Sequence, residues 1–170
     1  MTLQDLPQPI AEAVAPLLEV WPLDRAMEQL VVAEPAPKRA VEAAAQVVEQ
    51  PAVAAQPALA AGLWLYVDEL DRSHRISQGI DNPTGSYWHA IMHRREGDFS
   101  NSLYWLQRTG QHPAMKRVGD DYDPAALVRE VERAVGAGAG GGGGTRDDSL
   151  VQRQRREWAT LFAWCAKQGE

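Results

Sequence analysis

Apolar residues recur at helical spacing along most of this chain. Between residues 58 and 74, Leu59, Leu63, Tyr66 and Leu70 follow one another at spacings of 4, 3 and 4, so they share one face of a helix. No run combines strict apolar–polar alternation with β-branched residues, the pattern of a strand. The sequence therefore predicts an all-α protein. Shorter helices are predicted before residue 58, over residues 11–20, 25–33 (with Asp24 as N-cap) and 37–49.

Two helices with a very short connection are predicted near the middle of the chain. Ser86 is placed as the N-cap of a helix that ends at Gly97, because serine favours helix starts and glycine favours the position after the last turn. Asp98 then caps a second helix that ends at Gly110. The sequence thus predicts a central αα-hairpin over residues 87–110.

Composition divides the chain into four parts. Residues 1–56 are rich in Ala and Pro and are predicted to form a helical N-terminal segment, followed by a core helical domain over residues 57–135. Residues 136–146 are Gly-rich and are expected to be a flexible linker. Residues 147–170 are expected to form a C-terminal helix that packs on the core. A length of 170 residues suits one domain, here of about six helices.

The net charge of −6 is unevenly distributed along the sequence. Residues 72–117 carry seven bases and three acids and contain all four histidines, whereas the segments on either side are acidic. An acidic protein with a pI near 5.2 is a poor candidate for binding nucleic acid. The basic segment would suit a small anionic ligand, or its arginines would pair with the acids of residues 1–71.

Other classes of protein are disfavoured by what the sequence lacks. Cys165 is the single cysteine, so neither an intramolecular disulfide framework nor a cysteine-cluster zinc site is expected, and Cys165 is predicted to lie in the core. The first residues do not resemble a secretory signal, and no apolar stretch approaches the length of a membrane span. A cytoplasmic protein is the expectation.

Two histidines and a glutamate are predicted to form a stripe on the helix that starts near Tyr87. Relative to Trp88, Glu96, His89 and His93 lie at about 80°, 100° and 140° around the helix. Histidines at i and i+4 can bind one divalent metal ion, and a carboxylate would complete a familiar ligand set. His74 or His112 would supply a further ligand. The zincin protease motif is absent, because Ala90 stands where its general base would be.

Two other interpretations of this segment stay open. The histidines would instead form hydrogen bonds to loop backbone or to the Trp and Tyr residues of neighbouring helices. Alternatively, arginine forks would bind a carboxylate or phosphate, assisted by free N–H groups at the helix start. The residues assigned to such a ligand site are Arg75, Ser86, His89, His93, Arg94, Arg95 and Arg108.

The same segment carries a longer motif. It reads SH-x-x-SQ from Ser73, then TGSYWHAIMHRREGD from Thr84, and continues through Asn101, the Tyr104–Trp105 pair and Arg108 to His112 and Pro113. This run resembles the signature of an uncharacterised all-helical protein family. The resemblance covers roughly residues 57–115. It implies that this segment is the centre of the domain, and it implies no catalytic role for any residue.

Three functions follow from these patterns. The first is a helical domain whose His/Arg-rich cleft binds a small anionic ligand or a segment of a protein partner; it requires Arg94 or Arg95 to face that cleft. The second is a metal-dependent hydrolase in which His89, His93 and Glu96 hold a divalent metal ion, while Asp98 or His112 transfers protons. The third is an interaction module resembling one helical repeat, which requires an exposed apolar patch.

Overall fold

The structure is a computed structural model that describes residues 5–138 and 147–168. Within these ranges the chain is all-helical, without strands, and it has ten helices rather than about six. None of these helices is both long enough and apolar enough to span a membrane. The helices are α1 (Gln8–Val20), α2 (Lys38–Val48), α3 (Pro51–Ala54), α4 (Pro57–Tyr66), α5 (Leu70–Ser77), α6 (Pro83–Glu96), α7 (Phe99–Thr109), α8 (Pro113–Val118), α9 (Pro124–Gly138) and α10 (Asp148–Ala166).

The long helix predicted from residue 58 to residue 74 is interrupted. It ends as α4 at Tyr66, and α5 begins at Leu70. Asp68 between them has a φ of 61°, a left-handed conformation that no α-helix contains. Its carboxylate lies 2.7 Å from a guanidinium nitrogen of the buried Arg95. This long-range ion pair favours the break, and α5 packs against α6 as a result.

The helix predicted over residues 25–33 does not form. Met27 has a φ of 55°, and residues 22–36 run as turns and bends. Buried side chains of α10 and α6 bind the carbonyl groups that a helix would have used internally. Arg155 Nε donates to Ala26 O at 2.8 Å, and Gln154 Nε2 donates to Met27 O at 3.0 Å. These bonds satisfy the buried backbone without a helix.

Helix α6 begins four residues before its predicted start. Its N-cap is Asn82 and not Ser86, since Asn82 Oδ1 accepts hydrogen bonds from the Thr84 and Gly85 N–H groups at 2.9 and 3.1 Å. Pro83 follows at the first helical position, where its missing N–H costs nothing. The predicted hairpin therefore differs from the observed pair α6 and α7 in where its first helix starts.

The connection between α6 and α7 is short. Gly97 closes α6 with a φ of 90°, and Asp98 caps α7 by accepting a bond from the Asn101 N–H. Ser102 Oγ of α7 donates to the Ala90 carbonyl of α6 at 2.7 Å in the interior. The two helices therefore lie against each other over their length.

The core is centred on α4 and α6, which are buried on almost every side. Trp158 of α10 packs on Tyr66 and Phe162 with ring centroids 4.8 and 5.0 Å apart. Its indole N–H donates to the Gly62 carbonyl at 2.8 Å. Burial raises the pKa of the Cys165 thiol in this core to about 12, so the thiol stays protonated at neutral pH.

The predicted glycine linker overlaps the end of α9. Residues 136–138 belong to that helix, and residues 139–146 lie outside the described part. Helix α10 starts after Asp147, whose carboxylate accepts bonds from the Ser149 and Leu150 N–H groups. Leu150, at the start of α10, packs with Leu127 and Val131 of α9 in a second, smaller apolar cluster.

Gly85 leaves no room for a side chain in the first turn of α6. A Cβ atom there would lie 2.1 Å from the Ile80 carbonyl oxygen and 2.6 Å from Ile80 Cβ. We expect Gly85→Ala to lower the free energy of unfolding by about 1–3 kcal/mol, the usual effect of overpacking. Urea denaturation followed by far-UV circular dichroism measures it. Gly136→Ala in α9, where a Cβ meets nothing within 4 Å, is the control and should be neutral or slightly stabilising. Equal stability of the two variants would contradict the steric argument.

Candidate metal centre

Three histidine side chains from two helices converge beside α7. His74 comes from α5, and His89 and His93 lie one turn apart on α6. The ring centroids are separated by 4.6 Å for His74–His89, 4.8 Å for His89–His93 and 5.4 Å for His74–His93. One ring nitrogen from each residue lies within 4.8 Å of the corresponding nitrogens of the other two. This is a cluster of three potential metal ligands.

The cluster is mostly enclosed by protein. His89 is 3% exposed and His93 is 6% exposed, while His74 is half-buried. Two nitrogens bound to one tetrahedral zinc ion at 2.0–2.1 Å are about 3.4 Å apart. The ring nitrogens, now up to 4.8 Å apart, would thus have to approach one another by up to about 1.4 Å, a distance within reach of side-chain rotation. His74 is the most exposed of the three histidines.

Glu96 lies behind His93 and outside the group of three histidines. The His93 Nδ1–H is 3.0 Å from Glu96 Oε2, and with the proton on Nδ1 the lone pair of the ring is on Nε2. Histidine ligands of metals commonly donate their other N–H to a carboxylate in this way, which fixes the tautomer and raises the basicity of the ring. Glu96, predicted as a ligand, is not in the group of converging residues and instead contacts His93.

His89 is the most constrained of the three histidines. Burial, with smaller contributions from His74 and His93, lowers its pKa from 6.5 to about 4, so its ring is neutral at pH 7. Its Nδ1 is buried and has no hydrogen-bond partner in the described part of the chain. Most buried polar atoms have a partner, and His89 Nδ1 is one of several in the described ranges that have none. A metal ion bound at Nδ1 would satisfy this atom.

Helix α7 covers the histidines with an aromatic side chain. The Trp105 ring lies parallel to the His89 ring, with centroids 4.0 Å apart and planes at 12°. The Tyr104 ring meets Trp105 edge-on at 5.5 Å, and Tyr104 is half exposed. Trp105 thus shields the cluster from water on the side of α7, which strengthens electrostatic interactions inside it.

Arg94 and Arg95 are in the core and do not face a ligand cleft. Arg94 is 1% exposed, and its guanidinium lies 2.5 Å from Glu157 Oε2 of α10. Arg95 is fully buried between Asp68 and the Leu65 and Gln29 carbonyls. Each guanidinium has an internal anion or carbonyl partner, so neither is available to a ligand. The ligand role predicted for these two arginines is corrected to a structural one.

The remaining residues of the predicted ligand site lie at or near the surface. Arg75 is exposed and donates from Nε to the Asp71 carbonyl at 3.3 Å. Arg108 is exposed with its guanidinium carbon 5.4 Å from the Trp105 ring centroid, in cation–π distance. Ser86 is half-buried within the first turn of α6. Arg108 is therefore the predicted ligand-site arginine nearest to the wall of the histidine cluster.

Asp98 and His112, the predicted proton carriers, have other roles. The Asp98 carboxylate accepts bonds from Ser100 Oγ, the Asn101 N–H and Asn101 Nδ2. These bonds, and above all the one from the Asn101 backbone N–H, lower the pKa of Asp98, so it stays ionised as the cap of α7.

His112 Nδ1 accepts from the Ala114 N–H, so its proton is on Nε2, which donates to Thr84 Oγ1 at 3.1 Å. Burial lowers the pKa of His112 to about 4.

Comparisons with known proteins return no match. No family model, no curated protein and no solved structure is similar to this chain at a significant level. The case for a function therefore rests on the geometry of the site.

Proposed function

We propose that this protein binds a divalent transition-metal ion through His74, His89 and His93. The observation that supports this most directly is the convergence of three ring nitrogens within 4.8 Å of one another. Imidazole suits Zn²⁺, Cu²⁺, Ni²⁺ and Fe²⁺, whereas Mg²⁺ and Ca²⁺ prefer oxygen ligands. A metal ion requires deprotonated ligands, and the His89 ring is neutral. A metal site also benefits from a fixed tautomer, which the Glu96 carboxylate would give to His93.

Three protein ligands leave one tetrahedral position for water or substrate, as in catalytic zinc sites. A metal ion in such a site lowers the pKa of bound water and polarises carbonyl or phosphoryl groups. The half-buried His74 marks the side from which a small molecule would approach. We therefore favour a metal-dependent hydrolase over the other two functions, with His74 replacing Glu96 in the ligand set.

The other two functions have less support. A His/Arg-rich cleft requires Arg94 or Arg95 to face a ligand, and both are buried in ion pairs. An interaction module requires a contiguous exposed apolar patch. Among the described residues the exposed large apolar side chains are Val20, Tyr104 and Val135, which lie on three different helices. Single exposed apolar residues of this kind are ordinary.

Metal binding is tested by titrating the chelator-treated full chain with Co²⁺ and Zn²⁺. We expect one ion per chain, a visible Co²⁺ absorption typical of tetrahedral coordination, and its displacement by Zn²⁺. His74→Ala should lower the affinity for the ion by at least about hundredfold, because it removes one of three ligands. His74 is the partly exposed member of the cluster, so its replacement disturbs the core least.

Two further variants serve as controls for this titration. His112→Asn keeps a cap acceptor and removes a buried histidine outside the cluster, so metal affinity should not change. Glu96→Gln removes the carboxylate behind His93 and should weaken binding by about tenfold to hundredfold. Absence of stoichiometric binding, or binding unaffected by His74→Ala in a variant with native circular dichroism, would refute the proposal.

A further inference from the structure

Among the described residues, one side of α10 is only partly covered by the rest of the chain. It lines a surface cavity of about 670 Å³, a volume in the range of small-molecule sites. Residues of α10 enter the lining at positions 152, 155, 156, 159, 160, 163 and 164, followed by 167 just after the helix. These positions form one stripe, which at 1.5 Å per residue is about 22 Å long. Leu23 and Arg117 form the sides.

Three exposed cationic side chains surround this cavity. Arg117 comes from α8, Arg156 from α10 and Lys167 from the residue after α10, and all three are exposed. None forms a side-chain hydrogen bond or an ion pair with any residue in the described ranges. The chain has 23 acidic and 17 basic residues, so cations left unpaired around one cavity are against its overall composition. Their mutual repulsion would be relieved by a bound anion.

The middle of the cavity is apolar. Ala159 and Ala163 are small and leave space above the helix, and Trp164 is half-buried beside them. The His112 and Trp164 rings pack in a T-shaped arrangement with centroids 4.5 Å apart, and this contact fixes the indole. A fixed indole next to small side chains forms a platform for a planar group. The cavity thus combines an apolar floor with cations at its edge.

Two acidic residues, Asp5 and Asp24, also line the cavity. Arg155, at the same wall, is 6% exposed and donates to the Ala26 and Asp24 carbonyls at 2.8 and 2.7 Å. Arg155 also lies 3.8 Å from the Glu28 carboxylate, so its charge is partnered outside the cavity. The three exposed cations still outnumber the two carboxylates of the lining. The carboxylates would accept hydrogen bonds from hydroxyl or amine groups of a ligand.

We propose that this cavity binds an organic anion with a planar body, whose phosphate or carboxylate lies among Arg117, Arg156 and Lys167 and whose body lies on Trp164. The lining shares no residue with the histidine cluster. The two sites are therefore independent, and neither proposal depends on the other.

Isothermal titration of the chelator-treated full chain with 1-naphthyl phosphate, 2-naphthoate and adenosine monophosphate tests this proposal. We expect at least one of these planar anions to bind one-to-one, with at least about tenfold higher affinity than inorganic phosphate or uncharged 1-naphthol. A preference for the phosphates over the naphthoate would identify the anion as a phosphate, and the reverse order would identify a carboxylate. Binding should persist in His74→Ala, which places it outside the histidine cluster.

The double variant Arg117→Ala/Arg156→Ala should weaken this binding by about tenfold or more, since it removes two charge-assisted contacts. The matched control is Arg39→Ala/Arg133→Ala, which removes the same charge from exposed positions on α2 and α9 and should leave affinity unchanged. The proposal is overturned if no planar anion binds at about 1 mM, if inorganic phosphate binds equally well, or if both double variants lose the same affinity.

Discussion

Glu157→Ala is expected to lower the free energy of unfolding by about 3–5 kcal/mol, the usual effect of removing one partner of a buried ion pair. Glu157 is fully buried. Its carboxylate lies 2.5 Å from Arg94 on one oxygen, and the other oxygen accepts the hydroxyls of Tyr87 and Tyr122 at 3.2 and 2.5 Å. Alanine would leave the Arg94 charge and both hydroxyls without their acceptor. Urea unfolding followed by tryptophan fluorescence measures the loss.

The matched control is Glu132→Ala, which removes a carboxylate from the exposed face of α9 and should change stability by no more than about 0.5 kcal/mol. The double variant Arg94→Met/Glu157→Leu should regain part of the loss, because it removes the stranded charge and fills the space. A loss below about 1 kcal/mol in the single variant would contradict a buried, four-membered polar network.

The periodicity of apolar residues predicted an all-helical protein because the residues that start and end a helix act over short distances in the sequence. Helices α1, α2 and α7 begin and end within a few residues of their predicted bounds, since Pro, Asp and Gly act within one turn. The break at Asp68 was not predictable from periodicity. It depends on Arg95, 27 positions further along the sequence, and the apolar stripe continues through it to Leu70.

Part of the histidine cluster could also be predicted from local spacing. Helical geometry places His89 and His93 on one side of α6 from their spacing alone. The choice between His74 and His112 depends on how α5 packs on α6, which spacing does not encode. His112 lies instead against Tyr87 and Trp164, with ring centroids 5.4 and 4.5 Å away.

Pairing of the arginines with acids was one of the predicted alternatives, but the burial of these ion pairs was not predicted, because charge alone favours an exposed position. Arg94 and Arg95 were predicted to bind an anionic ligand, whereas no role was predicted for Glu157 or Asp68. A signal was present for Glu157: it is seven residues after Leu150 and next to Trp158, so it falls on the apolar face of α10. A charged residue on an apolar stripe indicates a buried partner of opposite sign elsewhere in the sequence.

These buried arginines also affect the proposed metal site. They follow His93 directly on α6, and their ion pairs join that helix to α10 and to the α4–α5 connection. The same connection sets the direction of α5 and hence the position of His74. The ion pairs therefore fix both helices that carry the histidines, and a preorganised ligand set loses less conformational freedom when it binds.

Lowering the pH from 7 to 4.5 is expected to destabilise the metal-free protein steeply. The pKa values of His89 and His112 are lowered from 6.5 to about 4 in the folded state, chiefly by burial. Between these two values the unfolded chain binds protons that the folded chain does not, so stability falls as the pH falls through this window. Each histidine contributes up to about 1.4 kcal/mol per pH unit.

Urea unfolding at half-unit steps of pH, in the presence of a chelator, measures this slope. Asp98 and Asp147 have pKa values lowered below 3.8, so they stabilise the fold above that pH, and their effect is lost only below the window. His112→Asn should therefore remove about half of the slope while it keeps a side-chain acceptor for the Ala114 N–H. A stability that stays constant from pH 7 to 4.5 would show that the pKa values of the two rings are not lowered in the folded protein, and it would remove the argument that burial keeps the His89 ring neutral.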